Sequence, residues 1–168
     1  GGGGCVPRLV IQMARIATPS ARTATTMRPV GRARSPGVDA GTDKVYAGVN
    51  YTLGANVERL KLWGTEPMNG IGNELANVLV GNDQVNILVG GAGNDVLVGE
   101  GGNDILWGGT GRDLLTGGSG LDSFRFDTVA HATTNTDRIS DFSHADDTIV
   151  LYASAFAGIG ALLASVAA

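Results

Sequence analysis

The chain has 168 residues, of which 27 are glycine, while aromatic residues make up only 5%. Average proteins contain about 7% glycine, so a core of large side chains is not expected, and the lack of a Gly-x-y register excludes collagen. A hydrophobic content of 43% argues against a wholly disordered chain, and the formal net charge is −4.

Residues 1–36 differ in composition from the rest of the chain. They hold six arginines, no acidic residue and four of the five prolines. We predict that this basic segment lies outside the repeat region, and three interpretations remain open: a disordered arm, a transit-type peptide, or a repeat translated out of frame. Because Cys5 is the only cysteine, an intrachain disulfide and a cysteine-rich zinc site are both excluded.

Residues 37–168 carry the other six basic residues and all 16 acidic residues, which gives this part a net charge of −10. Nucleic-acid-binding proteins need clustered Lys and Arg, so we expect no nucleic-acid partner and instead an affinity for cations. No apolar run approaches the roughly 18 residues of a transmembrane helix, so no membrane span is expected.

Apolar and polar residues alternate loosely within residues 37–71, notably over 45–53 and 60–62. Such alternation is typical of short β-strands. We therefore expect degenerate strands here that lead into the next segment.

A nine-residue period dominates residues 72–126. Positions nine apart carry an amide or an acid, namely Asn77, Asn86, Asp95, Asp104, Asp113 and Asp122. Glycine precedes each of them by five residues, and a large apolar residue follows each by two. The units are most regular over 90–126, where they read G-G-x-G-x-D-x-U-x with U apolar, apart from Glu100 in place of a second glycine. A flexible linker has no reason to keep such a register, so the glycines indicate a repeat fold.

These units resemble the RTX, or haemolysin-type calcium-binding, nonapeptide repeat. The resemblance implies an all-β fold: a parallel β-roll, or right-handed β-solenoid, of nine-residue turn–strand units with a C-terminal β cap. It also implies Ca²⁺ as the cofactor and the type I secretion machinery as a partner, with an extracellular, secreted location. Residues 37–71 would then be a metal-free continuation of the roll.

The repeat also has a physical rationale of its own. Six glycine-rich residues ending in Asp turn sharply because glycine accepts positive φ, and the next three residues form a short strand. The middle residue of a strand points to the opposite side from its neighbours. We therefore expect Trp107 and Thr116 to face outward, and the middle residues to face a common core, namely Leu97, Leu106, Leu115 and Phe124.

With two units per coil, turns of alternate units stack on the same side of the roll. Each stack collects carboxylates and bare carbonyls, which Ca²⁺ stabilises through about six to eight oxygen ligands. We predict that carboxylates bridge ions in two pairs, Asp95 with Asp113 and Asp104 with Asp122. The full predicted set of metal-binding residues is Gly90, Gly91, Gly93, Asp95, Gly99, Gly102, Asp104, Gly108, Gly109, Gly111, Asp113, Gly117, Gly118, Gly120 and Asp122.

Two points about these turns stay open. Each aspartate could instead cap only its own turn, although that role requires no register between units. Asn77 and Asn86 either give an amide oxygen to a further calcium ion or form a neutral side-chain ladder that needs no metal.

Residues 127–168 are expected to close the roll. Residues 137–142 and 146–151 are similar to the D-x-I-x-D-F and D-x-I-x-L pattern that ends RTX rolls, although the glycine common in the loop between them is absent. Their acids either hold another Ca²⁺ or are solvated loop residues: Asp137, Asp141, Asp146 and Asp147. Residues 152–168 are alanine-rich and uncharged, which favours a short helix, part of a longer cap or a secretion-signal region.

Signatures of catalysis such as H-E-x-x-H, G-x-S-x-G and the P-loop are missing from the sequence, so we expect no enzyme activity. The leading hypothesis is a calcium-binding β-roll module of a secreted bacterial RTX protein, which folds on binding Ca²⁺ after type I secretion. Two alternatives keep the same module: the tail of a larger RTX enzyme of the metalloprotease or lipase type, or an adhesin or surface repeat.

Overall fold

The computed structural model describes residues 10–11, 41–129, 134–153 and 155–156, and it describes Val10 and Ile11 by their backbone only. The predictions for the other residues of 1–36 and for residues 157–168 lie outside this description. Every regular element in the described part is a β-strand.

The strands are short and follow one another at nearly regular intervals. In chain order they are β1 (Val10–Ile11), β2 (Lys44–Ala47), β3 (Tyr51–Thr52), β4 (Arg59–Leu62), β5 (Met68–Ile71), β6 (Val78–Val80), β7 (Asn86–Ala92), β8 (Val96–Gly101), β9 (Ile105–Thr110), β10 (Leu114–Ser119), β11 (Ser123–Phe126), β12 (Arg138–Ile139) and β13 (Thr148–Leu151). The strands expected over 45–53 and 60–62 are therefore present. β8, β9 and β10 exceed the three predicted residues because the glycines of the following turn also pair with the neighbouring coil.

All strand pairs are parallel and form two sheets. One sheet has the order β1-β2-β4-β6-β8-β10-β12, and the other has the order β13-β11-β9-β7-β5-β3. From β2 onward, successive strands therefore alternate between the sheets, and two turn–strand units complete one coil. This arrangement confirms the predicted parallel β-roll.

A ladder of leucines fills the space between the two sheets. Side chains at equivalent register positions are Leu60, Leu79, Leu97 and Leu115 in one sheet and Leu88, Leu106 and Phe124 in the other. All of these side chains are at most 1% exposed. Trp107 and Thr116 face away from the core and are half-buried, as expected. Because no unit can bury its apolar residue alone, each coil depends on its neighbours.

The turns rely on left-handed backbone at the second and fourth positions of each unit. There, φ lies between 101° and 141° at Gly91, Gly93, Gly102, Gly109, Gly111, Gly118 and Gly120. A residue with a Cβ pays about 1–2 kcal/mol for such a conformation. Glu100 nevertheless adopts a φ of 82° at one second position.

Residues after the last repeat extend both sheets by one strand. β12 pairs with β10, and β13 pairs with β11. The loop that lacks the glycine expected between residues 142 and 146 turns through the Ser143 carbonyl, which accepts the N–H groups of Asp146 and Asp147 at 3.1 and 2.8 Å. At the opposite end, the backbone of β1 pairs with β2.

The outer face of β9 is partly covered by the residues that follow the repeats. The Trp107 indole N–H donates to Asp127 Oδ1 at 2.6 Å, and its ring stacks on Tyr152 with centroids 6.0 Å apart. Among the described residues, the structure contains no helix of the length and apolarity that a membrane span requires.

Shortening one core leucine tests the contribution of the leucine ladder to stability. Leu97→Ala should lower the free energy of unfolding by about 2–5 kcal/mol, because it leaves a cavity between coils that cannot collapse independently. Val98→Ala, on the outward face of the same strand, should cost about 1 kcal/mol or less. Urea unfolding in millimolar calcium measures both, and equal losses would contradict the assignment of inner and outer faces.

Candidate metal centre

The turns of the repeats form two stacks on opposite sides of the roll, with adjacent members eighteen residues apart. Asp95 and Asp113 are neighbours in one stack, where the Asp95 N–H donates to Asp113 Oδ1 at 2.8 Å. Asp104 and Asp122 make the same 2.8 Å contact in the other stack. The structure thus brings together both predicted aspartate pairs.

Each stack continues as a column from the asparagine turns to the closing segment. The N–H groups of Asn77 and Asn86 donate to the Oδ1 atoms of Asp95 and Asp104 at 2.7 and 2.8 Å. At the other end, the N–H groups of Asp113 and Asp122 donate to the Oδ1 atoms of Asp137 and Asp147, both at 3.0 Å. Two unbroken columns result: Asn77–Asp95–Asp113–Asp137 and Asn86–Asp104–Asp122–Asp147.

Sequence reasoning did not identify Asp137 and Asp147 as members of these columns. Their separations from the preceding aspartates are 24 and 25 residues instead of 18, so the nine-residue period misses them. One signal was present, since Ile139 and Ile149 follow them by two residues, as leucine follows the repeat aspartates.

The other two acids of the closing segment have different roles. The Asp141 carboxylate is exposed and accepts the N–H groups of Gly117 and Gly118 at 3.0 and 2.8 Å. Asp146 is exposed and bonds to the Ser143 hydroxyl at 3.0 Å. Neither residue joins a column.

One oxygen of each repeat aspartate has no partner. Asp95, Asp104, Asp113 and Asp122 are 1–2% exposed, and the Oδ2 atom of each is buried without a hydrogen bond. An unsatisfied buried polar atom costs about 1–3 kcal/mol, and more when the group is charged. The aspartates therefore do not cap their own turns, since Oδ1 accepts an N–H group from the preceding coil and Oδ2 accepts none.

The free oxygens face the first glycine of their own turn and the carbonyl of the next coil. A Cβ placed on Gly90 would lie closer than 3.0 Å to both Asp95 Oδ2 and the Gly108 carbonyl oxygen. A Cβ on Gly99 would collide in the same way with Asp104 Oδ2 and the Gly117 carbonyl oxygen. Glycine is therefore required at the first position, and two oxygens face one shared space.

The other predicted glycines lie in the same turns but contribute differently. The carbonyl oxygens of Gly91, Gly93 and Gly102 lie against the positive-φ glycines of the next coil, at Gly109, Gly111 and Gly120. The Gly109 carbonyl accepts a hydrogen bond from the Thr128 hydroxyl at 2.9 Å. Of the predicted glycines, Gly108 and Gly117 thus place a carbonyl beside a free aspartate oxygen.

Burial raises the pKa values of aspartates in the columns. Desolvation raises the pKa of Asp95 and Asp104 to about 7, partly offset by the N–H bonds from the preceding coil and reinforced by the next carboxylate. Burial likewise raises the pKa of Asp113 to about 6 and raises those of Asp122 and Asp137. Negative charge in these turns is therefore unfavourable unless a cation neutralises it.

The donor set fits a hard cation that accepts backbone oxygen. Among the described residues, no group of three or more His, Cys, Asp or Glu side chains is arranged to hold a metal. Any ion in these turns must therefore combine carboxylate with carbonyl oxygens, which is the ligand chemistry of Ca²⁺ and not that of Zn²⁺.

The raised pKa values predict how pH affects the metal-free protein. An acid whose pKa rises on folding binds its proton more tightly in the folded state, so stability falls as pH rises from about 4, the ordinary pKa, to about 7. In calcium-free buffer, the strand signal in circular dichroism should therefore decrease as pH rises over this range. Asp95→Asn combined with Asp104→Asn should flatten it, and metal-free stability that increases with pH would contradict the assigned burial.

Comparison with known proteins agrees with this geometry. The family model described as the RTX calcium-binding nonapeptide repeat, in four copies, matches residues 71–106 and 98–127. No curated protein and no solved structure gave a significant match. Residues 71–127 are therefore RTX calcium-binding nonapeptide repeats, and they form a calcium-binding β-roll module.

Proposed function

We propose that the module binds Ca²⁺ at the free aspartate oxygens of the two columns. The observation that carries this proposal is the set of four buried Oδ2 atoms without partners, at Asp95, Asp104, Asp113 and Asp122. Since the Oδ1 atoms of these residues already accept N–H groups, Oδ2 is the oxygen that remains for an ion.

The position of each site follows from the coil that the free oxygen faces. Asp95 with the Gly108 carbonyl forms one site, and Asp104 with the Gly117 carbonyl forms a second. By the same geometry, Asp113 and Asp122 serve sites shared with the closing segment, next to Asp137 and Asp147. The closing segment is then part of the calcium-binding structure as well as the end of the roll.

Calcium binding and folding are coupled in this proposal. Without an ion, four desolvated carboxylates oppose coil stacking, and the leucine ladder cannot form unless the coils stack. Ca²⁺ binds the stacked form, so its binding free energy stabilises the fold. Extracellular calcium modules have dissociation constants of about 10⁻⁴–10⁻³ M, which matches folding outside a cell and an unfolded state in calcium-poor cytosol.

This switch suits a non-catalytic module of a secreted bacterial protein that leaves the cell by type I secretion. An unfolded acidic chain is compatible with export, and calcium outside the cell then drives folding. The support is the RTX repeat family together with the buried carboxylates.

A calcium titration of the full chain by circular dichroism tests the proposal. Strand signal should increase with calcium and decrease again with EGTA. Asp113→Ala removes one free oxygen and should raise the calcium midpoint by about tenfold, the equivalent of about 1.4 kcal/mol.

Asp83→Asn provides the matched control, because it also removes one negative charge from a turn but at an exposed position. Its midpoint should equal that of the parent protein. A spectrum that does not respond to calcium or EGTA would refute the proposal.

A further inference from the structure

The asparagines that begin the two columns make different hydrogen bonds from the aspartates that follow them. Asn77 Oδ1 accepts the Asn73 N–H at 2.7 Å, and Asn86 Oδ1 accepts the Asn82 N–H at 2.7 Å. Their Nδ2 groups donate to carbonyls of the preceding coil, at Val57 (3.1 Å) and Met68 (2.9 Å). These two side chains are buried and each of their polar atoms has a hydrogen-bond partner, in contrast with the aspartates that follow them.

Two further asparagine amides connect pairs of carbonyls in the preceding coil. Asn73 Nδ2 donates to the carbonyls of Gly54 and Val57 at 2.8 and 2.9 Å. Asn82 Nδ2 donates to the carbonyls of Gly64 and Glu66, both at 3.0 Å. An amide with two N–H donors thus satisfies converging carbonyls without any ion.

A lysine provides positive charge at the turn that begins with Gly81. Lys61 Nζ donates to the Gly81 carbonyl at 2.8 Å and pairs with Glu100 Oε1 at 3.1 Å. Gly81 is the first glycine of its unit, the position whose carbonyl at Gly108 and Gly117 faces a free aspartate oxygen. Glu100, the partner of Lys61 in this ion pair, is also the residue with left-handed backbone at a φ of 82°.

We infer that residues 43–89 form a calcium-independent base on which the calcium-dependent coils assemble. Their turns are closed by neutral amides and one ammonium group, so no unpaired carboxylate has to be desolvated when they stack. They also hold part of the core ladder, including Leu60, Leu62, Leu79 and Leu88. The inference rests on the proposed function for the second half of the roll, and it places the calcium requirement at residues 90 onward.

Hydrogen exchange measured by mass spectrometry on the full chain tests the base directly. In EGTA, peptides covering β4 to β6 (residues 59–80) should keep their protection, whereas peptides covering β9 to β11 (residues 105–126) should lose it. In millimolar calcium both regions should be protected, since exchange reports local opening.

The outcomes separate this inference from the proposed function. If both regions lose protection in EGTA and regain it with calcium, the module still folds on calcium but the independent base is refuted. If neither region responds to calcium, the proposed function itself fails, and the inference fails with it.

Lys61→Met tests the ammonium group while keeping the side-chain stem. Protection of residues 59–80 in EGTA should fall by about tenfold, because the charge-assisted hydrogen bond from the ammonium group to the Gly81 carbonyl is lost. Arg59→Met is the matched control, since it removes a positive charge from the same face of the same strand. Equal effects of the two variants would refute the role of Lys61.

Asn86→Asp places at this position the aspartate that the regular repeats carry there. This variant remains informative if Lys61→Met is too unstable to fold. In EGTA the protection of residues 59–80 should be lost, and calcium should restore it. Asn94→Asp adds the same charge at an exposed position of a later turn and should leave residues 59–80 protected in EGTA. Protection in Asn86→Asp that persists in EGTA, or that calcium does not restore, would contradict the inference.

Discussion

Every regular nine-residue unit of this roll buries a carboxylate that has a hydrogen bond for only one of its two oxygens. The rest of the structure is arranged around this constraint. The first glycine of each regular unit leaves space for the free oxygen, and at Gly90 and Gly99 the carbonyl of the next coil faces the same space. The leucine ladder needs the coils to stack, and stacking buries the carboxylates, so core formation and the demand for a cation are two consequences of one geometry.

Each column begins with a neutral side chain and continues with acidic ones. Asparagine occupies the first position of each column and aspartate the following ones, and the backbone N–H to side-chain contact is nearly unchanged throughout, at 2.7–3.0 Å. In each of these contacts the acceptor is an aspartate Oδ1 atom, whereas the side chains of Asn77 and Asn86 donate Nδ2 to carbonyls of the preceding coil. A column built in this way has a neutral start that needs no ion and an acidic continuation that does.

Much of the fold was accessible from the sequence because a period of nine specifies local structure and stacking together. Leu97 and Leu115 could be placed in the core from the spacing, and Asp95 beside Asp113 from the spacing together with the β-roll that the resemblance implies. The closing segment was less accessible, because its loops of irregular length displace Asp137 and Asp147 from the period. The amide contacts of Asn73 and Asn82 and the pairing of Lys61 with Glu100 join residues in different coils, so only the three-dimensional structure reveals them.

A crystal structure of the chain grown with calcium, with the anomalous signal of the ion recorded, tests the central claim most directly. The account predicts ions about 2.3–2.6 Å from Asp95 Oδ2 and the Gly108 carbonyl, and from Asp104 Oδ2 and the Gly117 carbonyl. It also predicts no ion in the asparagine turns at 72–77 and 81–86. Ions bound only to exposed acids such as Asp83, with the four Oδ2 atoms still lacking partners, would contradict it.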